Sequence, residues 1–396
     1  MLIIELYKYY TRARRLYSCQ LDAHPHRTES WAALGLCLVC IVCSFPSYDL
    51  FLHPNVIVAT NWQALQAQAE HPLTPRDYPA ELHHGQIAFR LLLPVLAHLG
   101  QFSILWFLAL LPVAGWLFFR TLLALCRRVG FDGWASFWLA LGFAFTYVGK
   151  GFFVDVIGYF DGYCYLLLLL SLMAPQRYVA MLAWLGALFV DERAFLAVPL
   201  CVVARLWIYM RFWRNESPKL KNIWFEAWPA LVTLSLAVVI RIYLTHQFGL
   251  QNGATSENLG LITFRGNFQV AAIGLLSGLD FYLFVGFLPA IYWWFTKQRL
   301  LGVLYTLYMC ICLAAMMLVL DLTRCTAYLF PAALAGLFAI ARHESLSTCT
   351  RVPPLLAVTA FAFPPLFTVG TTVLWMGPIF PKVLRMAAKA IWGVDI

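Results

Sequence analysis

The sequence predicts an all-α protein, a polytopic transmembrane helical bundle of about 10–12 spans with surface helices in the first external loop. Three observations carry this. The 396 residues are 62% hydrophobic and only 12% charged, with a mean hydropathy of +0.74, whereas soluble domains are about one quarter charged. Apolar runs approach the roughly 20 residues needed to cross a hydrocarbon core as a helix. The charges fall in short joints between those runs, alternately basic and acidic. Runs such as Leu166-Leu167-Leu168-Leu169-Leu170 do not alternate polar with apolar residues, so a β-barrel is not expected.

The elements follow in order as one integral membrane domain, 1–396. Residues 1–30 carry Lys8, Arg12, Arg14, Arg15 and Arg27 and form a cytoplasmic N-terminal segment by the positive-inside rule. No small-residue cleavage site follows the first apolar run, so no cleaved leader is expected. The first span covers 31–45. Residues 46–86 form the first extracytoplasmic loop, in which 61–70 reads as a helix along the membrane surface with Trp62, Leu65 and Ala69 on one side. The stretch 87–100 contains Arg90 and Pro94 and is a juxtamembrane or re-entrant helix. Spans at 102–125 and 134–148 follow, and 150–162 returns outside. Further spans are expected at 163–173, 178–190, 194–210, 224–244, 281–295, 301–320, 325–341 and 355–375. The tail 376–396, with Lys382, Arg385 and Lys389, reads as amphipathic.

The net charge of +9 would suggest nucleic acid in a soluble protein. Here the basic joints at Arg127-Arg128, 211–222, Lys297 and Arg299 suit loops facing anionic lipid, and no nucleic acid partner is expected. Cys37 and Cys40 have zinc-like spacing but lie in an apolar run without His, where cysteine acts as a small hydrophobe. No metal ligands are assigned.

The acidic joints hold the candidate chemistry. Asp49 follows the first span in Pro46-Ser47-Tyr48-Asp49; a carboxylate just above a membrane is either a solvated loop acid or a general base. Arg90 lies in an apolar segment and either snorkels or binds phosphate through its planar fork. Asp155 and Asp161 bracket one short joint; they are helix-end caps or substrate-positioning acids. Asp191-Glu192-Arg193 stand between two apolar runs with no loop residues beside them. Consecutive helical positions point in different directions, so at least one must face the interior. Asp321 and Arg324 are spaced for an i,i+3 ion pair, whose placement in a membrane suggests a charged ligand. Arg241 lies near the same face and signals more weakly.

A first span, a long external loop opening with an acid, and then Arg90-Leu91-Leu92-Leu93-Pro94 together resemble the GT-C superfamily of membrane glycosyltransferases, over roughly the first 200 residues. The resemblance implies transfer of a sugar from a polyprenyl-phosphate donor to an acceptor hydroxyl on the extracytoplasmic face, with inversion. Asp49 is then the catalytic base, and Arg90, Asp155, Asp161, Asp191, Glu192, Arg193, Asp321 and Arg324 bind substrate. The expected partners are a lipid-linked sugar donor, a glycan or lipid acceptor, and membrane lipids. A divalent metal, Mg or Mn, is an open cofactor. The expected location is the plasma membrane, the inner membrane of a bacterium, with the product entering cell-envelope glycan or glycolipid. The alternatives are a polysaccharide polymerase acting on lipid-linked glycans and a transporter or flippase of a lipid-linked or anionic substrate.

Overall fold

The computed structural model describes residues 11–12, 16–21, 23–44, 49–75, 88–212, 220–250, 268–317, 321–343, 346–362, 366–369 and 372–375. The expectations for 76–86, for 376–396 and for most of 1–15 lie outside the described residues. Helix dominates. Among the described residues, five helices are long and apolar enough to cross a membrane: α1 (Pro25–Ser44), α5 (Leu105–Val129), the Ile223–Phe248 part of α11 (Leu220–Phe248), α15 (Arg299–Met317), and the stretch Leu322–Arg342. The last contains α16 (Leu322–Ala327) and most of α17 (Phe330–His343). A bent pair, α6 (Gly133–Phe145) and α7 (Tyr147–Val154), brings the number to six. Four apolar segments are shorter: α8 (Asp161–Met173), α9 (Arg177–Val190), the Ala194–Ile208 part of α10 (Ala194–Phe212), and Tyr282–Phe295, itself broken into α13 (Tyr282–Val285) and α14 (Leu288–Phe295).

Three expectations are corrected. The 134–148 run is not one straight span. It bends by 60° at Thr146, whose backbone is extended and whose hydroxyl donates to the Phe143 carbonyl at 2.9 Å. The helix then resumes, so Lys150 is not in an external joint but inside α7, buried. The 355–375 run is not a helix throughout. α18 (Leu346–Ala362) ends, and an antiparallel hairpin follows, β1 (Leu366–Val369) paired with β2 (Thr372–Trp375).

Short α2 (Asp49–Leu52) and α3 (Val56–Glu70) follow α1, and α4 (Leu92–Gly100) is too short to span. The Asn55 side chain caps α3 by accepting from the Val58 amide at 2.9 Å, which satisfies one orphan N–H of the first turn. The His98 ring bonds the Ala69 carbonyl at 3.0 Å, and Ser103 donates to Gln66 at 2.9 Å. These contacts fix α3 against α4.

α17 is buried along nearly its whole length and forms the centre of the bundle, packed by α10, α13 and α14. Helices in lipid gain little from apolar burial against each other and associate where backbones approach closely. Gly278, after α12 (Phe268–Ser277), shows this. A Cβ there would lie 2.5 Å from the Thr323 carbonyl and 2.9 Å from the Ala327 nitrogen. Ser277 and Thr323 share a hydroxyl hydrogen bond of 2.9 Å at the same crossing, which fixes α16 beside α12.

Among the described residues, two clusters of ion pairs lie at opposite ends of the bundle. At one end Arg205 donates to the carbonyls of Ser171 and Ala174 at 2.6 and 2.9 Å and to Glu226 at 3.1 Å. Arg177 donates to the same carboxylate at 3.3 Å, and Arg127 pairs with Glu29 at 2.6 Å. Here the last carbonyls of α8 find donors that the helix cannot supply itself. The other end, at the N-terminus of α8 and the C-terminus of α9, holds the second cluster.

Candidate functional site

The chain turns sharply between α7 and α8, and Asp155 makes the turn. Its carboxylate accepts from the amides of Gly158 (2.8 Å), Tyr159 (3.1 Å) and Phe160 (2.7 Å), as short acidic side chains do in turns. Gly158 has a φ of +100°, and a Cβ there would meet Leu65 of α3 at 2.5 Å. Phe160 also has positive φ, and Asp161 then opens α8, where the positive end of the helix dipole favours a carboxylate. Between α9 and α10 the Asp191 carboxylate accepts from the Arg193 amide at 2.9 Å and so closes the three-residue joint. Asp321 precedes α16 and reaches forward to Arg324. Phe89 and Leu91 pack with Leu244 and Leu250 at the end of α11, which holds Arg90 between them.

These joints converge. Seven of the eight residues assigned to substrate binding form a single alternating line of charge. Glu192 receives Arg90 through two parallel bonds, Nε at 3.1 Å and Nη2 at 2.9 Å. Arg90 also lies 3.1 Å from Asp191, and Asp191 is 3.4 Å from Arg193. Arg193 is 3.8 Å from Asp161. Asp161 takes Arg324 in a second two-bond fork, at 2.6 and 2.9 Å, and Arg324 continues to Asp321 at 2.9 Å. Tyr328 donates its hydroxyl to Asp161 at 3.0 Å, and the Arg324 guanidinium sits 3.6 Å from the centre of the Tyr159 ring.

The middle of this line is closed. The side chains of Asp191, Asp161 and Arg324 are 0%, 1% and 3% exposed. Its ends are open in different ways. Glu192 is 33% exposed, while at the far end one carboxylate oxygen of Asp321, Oδ1, is buried with no partner among the described residues. Orphaned buried acceptors are rare and call for a reason.

Asp155 is beside the line but not in it, because its carboxylate is committed to its own turn. Asp155→Ala is expected to lower stability by at least ~1–3 kcal/mol, since buried amides lose their acceptor. Thermal melting of the detergent-solubilised protein checks this, and a melt equal to wild type would assign the carboxylate elsewhere. Asp49 begins α2, but its side chain lies outside the described residues. The segment is nonetheless tethered to the site wall. Phe51 stacks on Trp62, and the Trp62 indole donates to the Val156 carbonyl at 2.9 Å.

Arg241, on α11, carries more than its sequence signal suggested. It donates to the Leu188 carbonyl at 2.8 Å, lies over the rings of Phe89, Phe189 and Phe195, and interacts electrostatically with Glu192 and Asp191. Tyr328 gave no signal, because a tyrosine in an apolar run reads as core; Tyr159 stands in the Asp155–Asp161 joint, where only the acids were assigned. Among the described residues no group of three or more His, Cys, Asp or Glu is arranged to hold a metal ion.

No family profile, characterised protein or solved structure matches this chain.

Proposed function

We propose that this multi-pass protein is a membrane glycosyltransferase of about 10–12 spans with the GT-C plan, moving a sugar from a polyprenyl-phosphate donor to an acceptor hydroxyl on the extracytoplasmic face. The observation that carries the reading is the line of four carboxylates and three guanidiniums at one end of the bundle, reached by surface helix α3 and by Arg90 at the base of α4. Charges this deep in an apolar protein mark function more often than decoration. A phosphate-linked sugar needs both kinds of group. Guanidiniums stabilise the phosphate as its charge grows, and carboxylates hold sugar hydroxyls.

In this reaction the acceptor oxygen attacks the anomeric carbon and its proton passes to Asp49. The bond from that carbon to the phosphate oxygen breaks, and its electron pair leaves with the lipid phosphate. One displacement inverts the configuration. The positive-inside rule puts the Arg127–Glu29 end in the cytoplasm and the site end outside.

A second reading, a transporter or flippase, is favoured by the broken helices α6–α7 and α13–α14, since transporters build sites at such breaks. The site's place at one end of the bundle counts for the transferase. A polymerase acting on lipid-linked glycans would use the same site chemistry. Incubation of the purified protein with radiolabelled polyprenyl-phosphate sugars, with and without EDTA, is expected to move label to an acceptor. Loss of transfer in EDTA would assign a divalent metal to the reaction. Failure to move label from any donor would sink the transferase reading.

A further inference from the structure

We infer that the Glu192 carboxylate holds the seat of the substrate's phosphate on Arg90 and must swing away for the donor to bind, with Arg241 as the second guanidinium of that seat. The inference rests on the lipid-phosphate reading above and names where its anionic group goes.

The geometry singles out this pair. Arg90 grips Glu192 with two near-parallel bonds of 3.1 and 2.9 Å, the fork that guanidinium forms equally well with a phosphate. Arg324 makes the same fork with Asp161, but both groups are closed off from solvent. Glu192, one-third exposed, is the only fully described fork partner that can rotate into water. Breaking a partly exposed pair costs little because water takes over the carboxylate, whereas breaking a buried one strands the partner's charge and costs much. Release does not strand Arg90, because Asp191 remains 3.1 Å from its Nη2 and keeps it charged and aimed.

One further feature lies beside the same seat. Arg241 lies over the ring of Phe89, the residue before Arg90, at 5.3 Å, and has one N–H, at Nε, buried and without a partner among the described residues. Its other contact, to the Leu188 carbonyl, and the ring of Phe195 at 4.9 Å fix the guanidinium in place.

The test is binding of farnesyl monophosphate, inorganic pyrophosphate and farnesol to the full chain in nanodiscs. Glu192→Gln keeps the shape and removes the competing charge. It is expected to bind farnesyl monophosphate about tenfold tighter than wild type. Glu192→Asp keeps the charge but is one methylene too short to hold the fork, so it too is expected to bind tighter. Arg90→Lys is expected to lose binding in both backgrounds because an ammonium cannot present a fork. Arg241→Gln is expected to weaken binding about tenfold. Wild-type binding with no gain in either Glu192 variant would overturn the seat and leave sugar transfer standing. An equal gain for pyrophosphate would support the seat but assign it to a free phosphate compound, against the lipid-linked reading. Binding of farnesol as tight as that of its phosphate would overturn the seat. Binding to neither wild type nor any variant would overturn both.

Discussion

Asp161→Ala is expected to be the most damaging single change in the described part of the molecule. Arg324 is 3% exposed and gives Asp161 two of its hydrogen bonds, at 2.6 and 2.9 Å. Deleting the carboxylate leaves a guanidinium buried against Asp321 alone, and Tyr328 loses its acceptor as well. Removing one partner of a buried pair costs ~3–5 kcal/mol, and the single bond to Asp321 offsets only part of that loss. The thermal melt of the detergent-solubilised variant should fall accordingly, with loss of any activity.

The size of that loss is not the worth of the pair. Replacing both partners by apolar groups of similar volume is often neutral, so Asp161→Leu combined with Arg324→Met should melt closer to wild type than either single change, while remaining inactive. That contrast separates a charge kept for stability from one kept for chemistry. If the double variant melts no higher than Asp161→Ala, the network is holding the fold and its position says less about substrate.

Much of this site was legible because charge is conspicuous in an apolar chain. Asp161, Asp191 and Arg324 stand out in the sequence, and the i,i+3 pairing of Asp321 with Arg324 is local enough to read directly. The order of the line was not legible. Asp161 and Arg324 lie on α8 and α16, and only the fold brings them together. The same blindness hid Lys150. A lysine near the end of an apolar run reads as leaving the membrane, yet here it stays inside α7, buried. Arg205 and Glu226 gave no signal either, since they lie on α10 and α11 and only the fold makes them partners at 3.1 Å. Among the helices, α1, α5 and α15 followed from length and apolarity. The 60° bend at Thr146 did not, because no proline or charge marks it and a hydroxyl bonding back to Phe143 leaves no trace in hydropathy.

Asp49→Asn is expected to abolish transfer while leaving the melt unchanged. An amide of the same size keeps the start of α2 intact but has no lone-pair basicity to take the acceptor's proton. Losing a general base costs ~10²–10⁴-fold in rate, enough to remove turnover from an ordinary assay. The comparison that gives this meaning is Asp321→Asn. Among the described residues, Asp321 has the one unpartnered buried carboxylate oxygen of the line, and its other oxygen holds Arg324, so it is the natural competitor for the role of base. If Asp321 is instead a holder of Arg324 and of a sugar hydroxyl, its amide should raise KM and lower the melt while retaining turnover. If the two variants exchange these behaviours, the base lies at the N-terminus of α16 and not in the first external loop. The Phe51–Trp62–Val156 tether then serves only to hold α3 over the site.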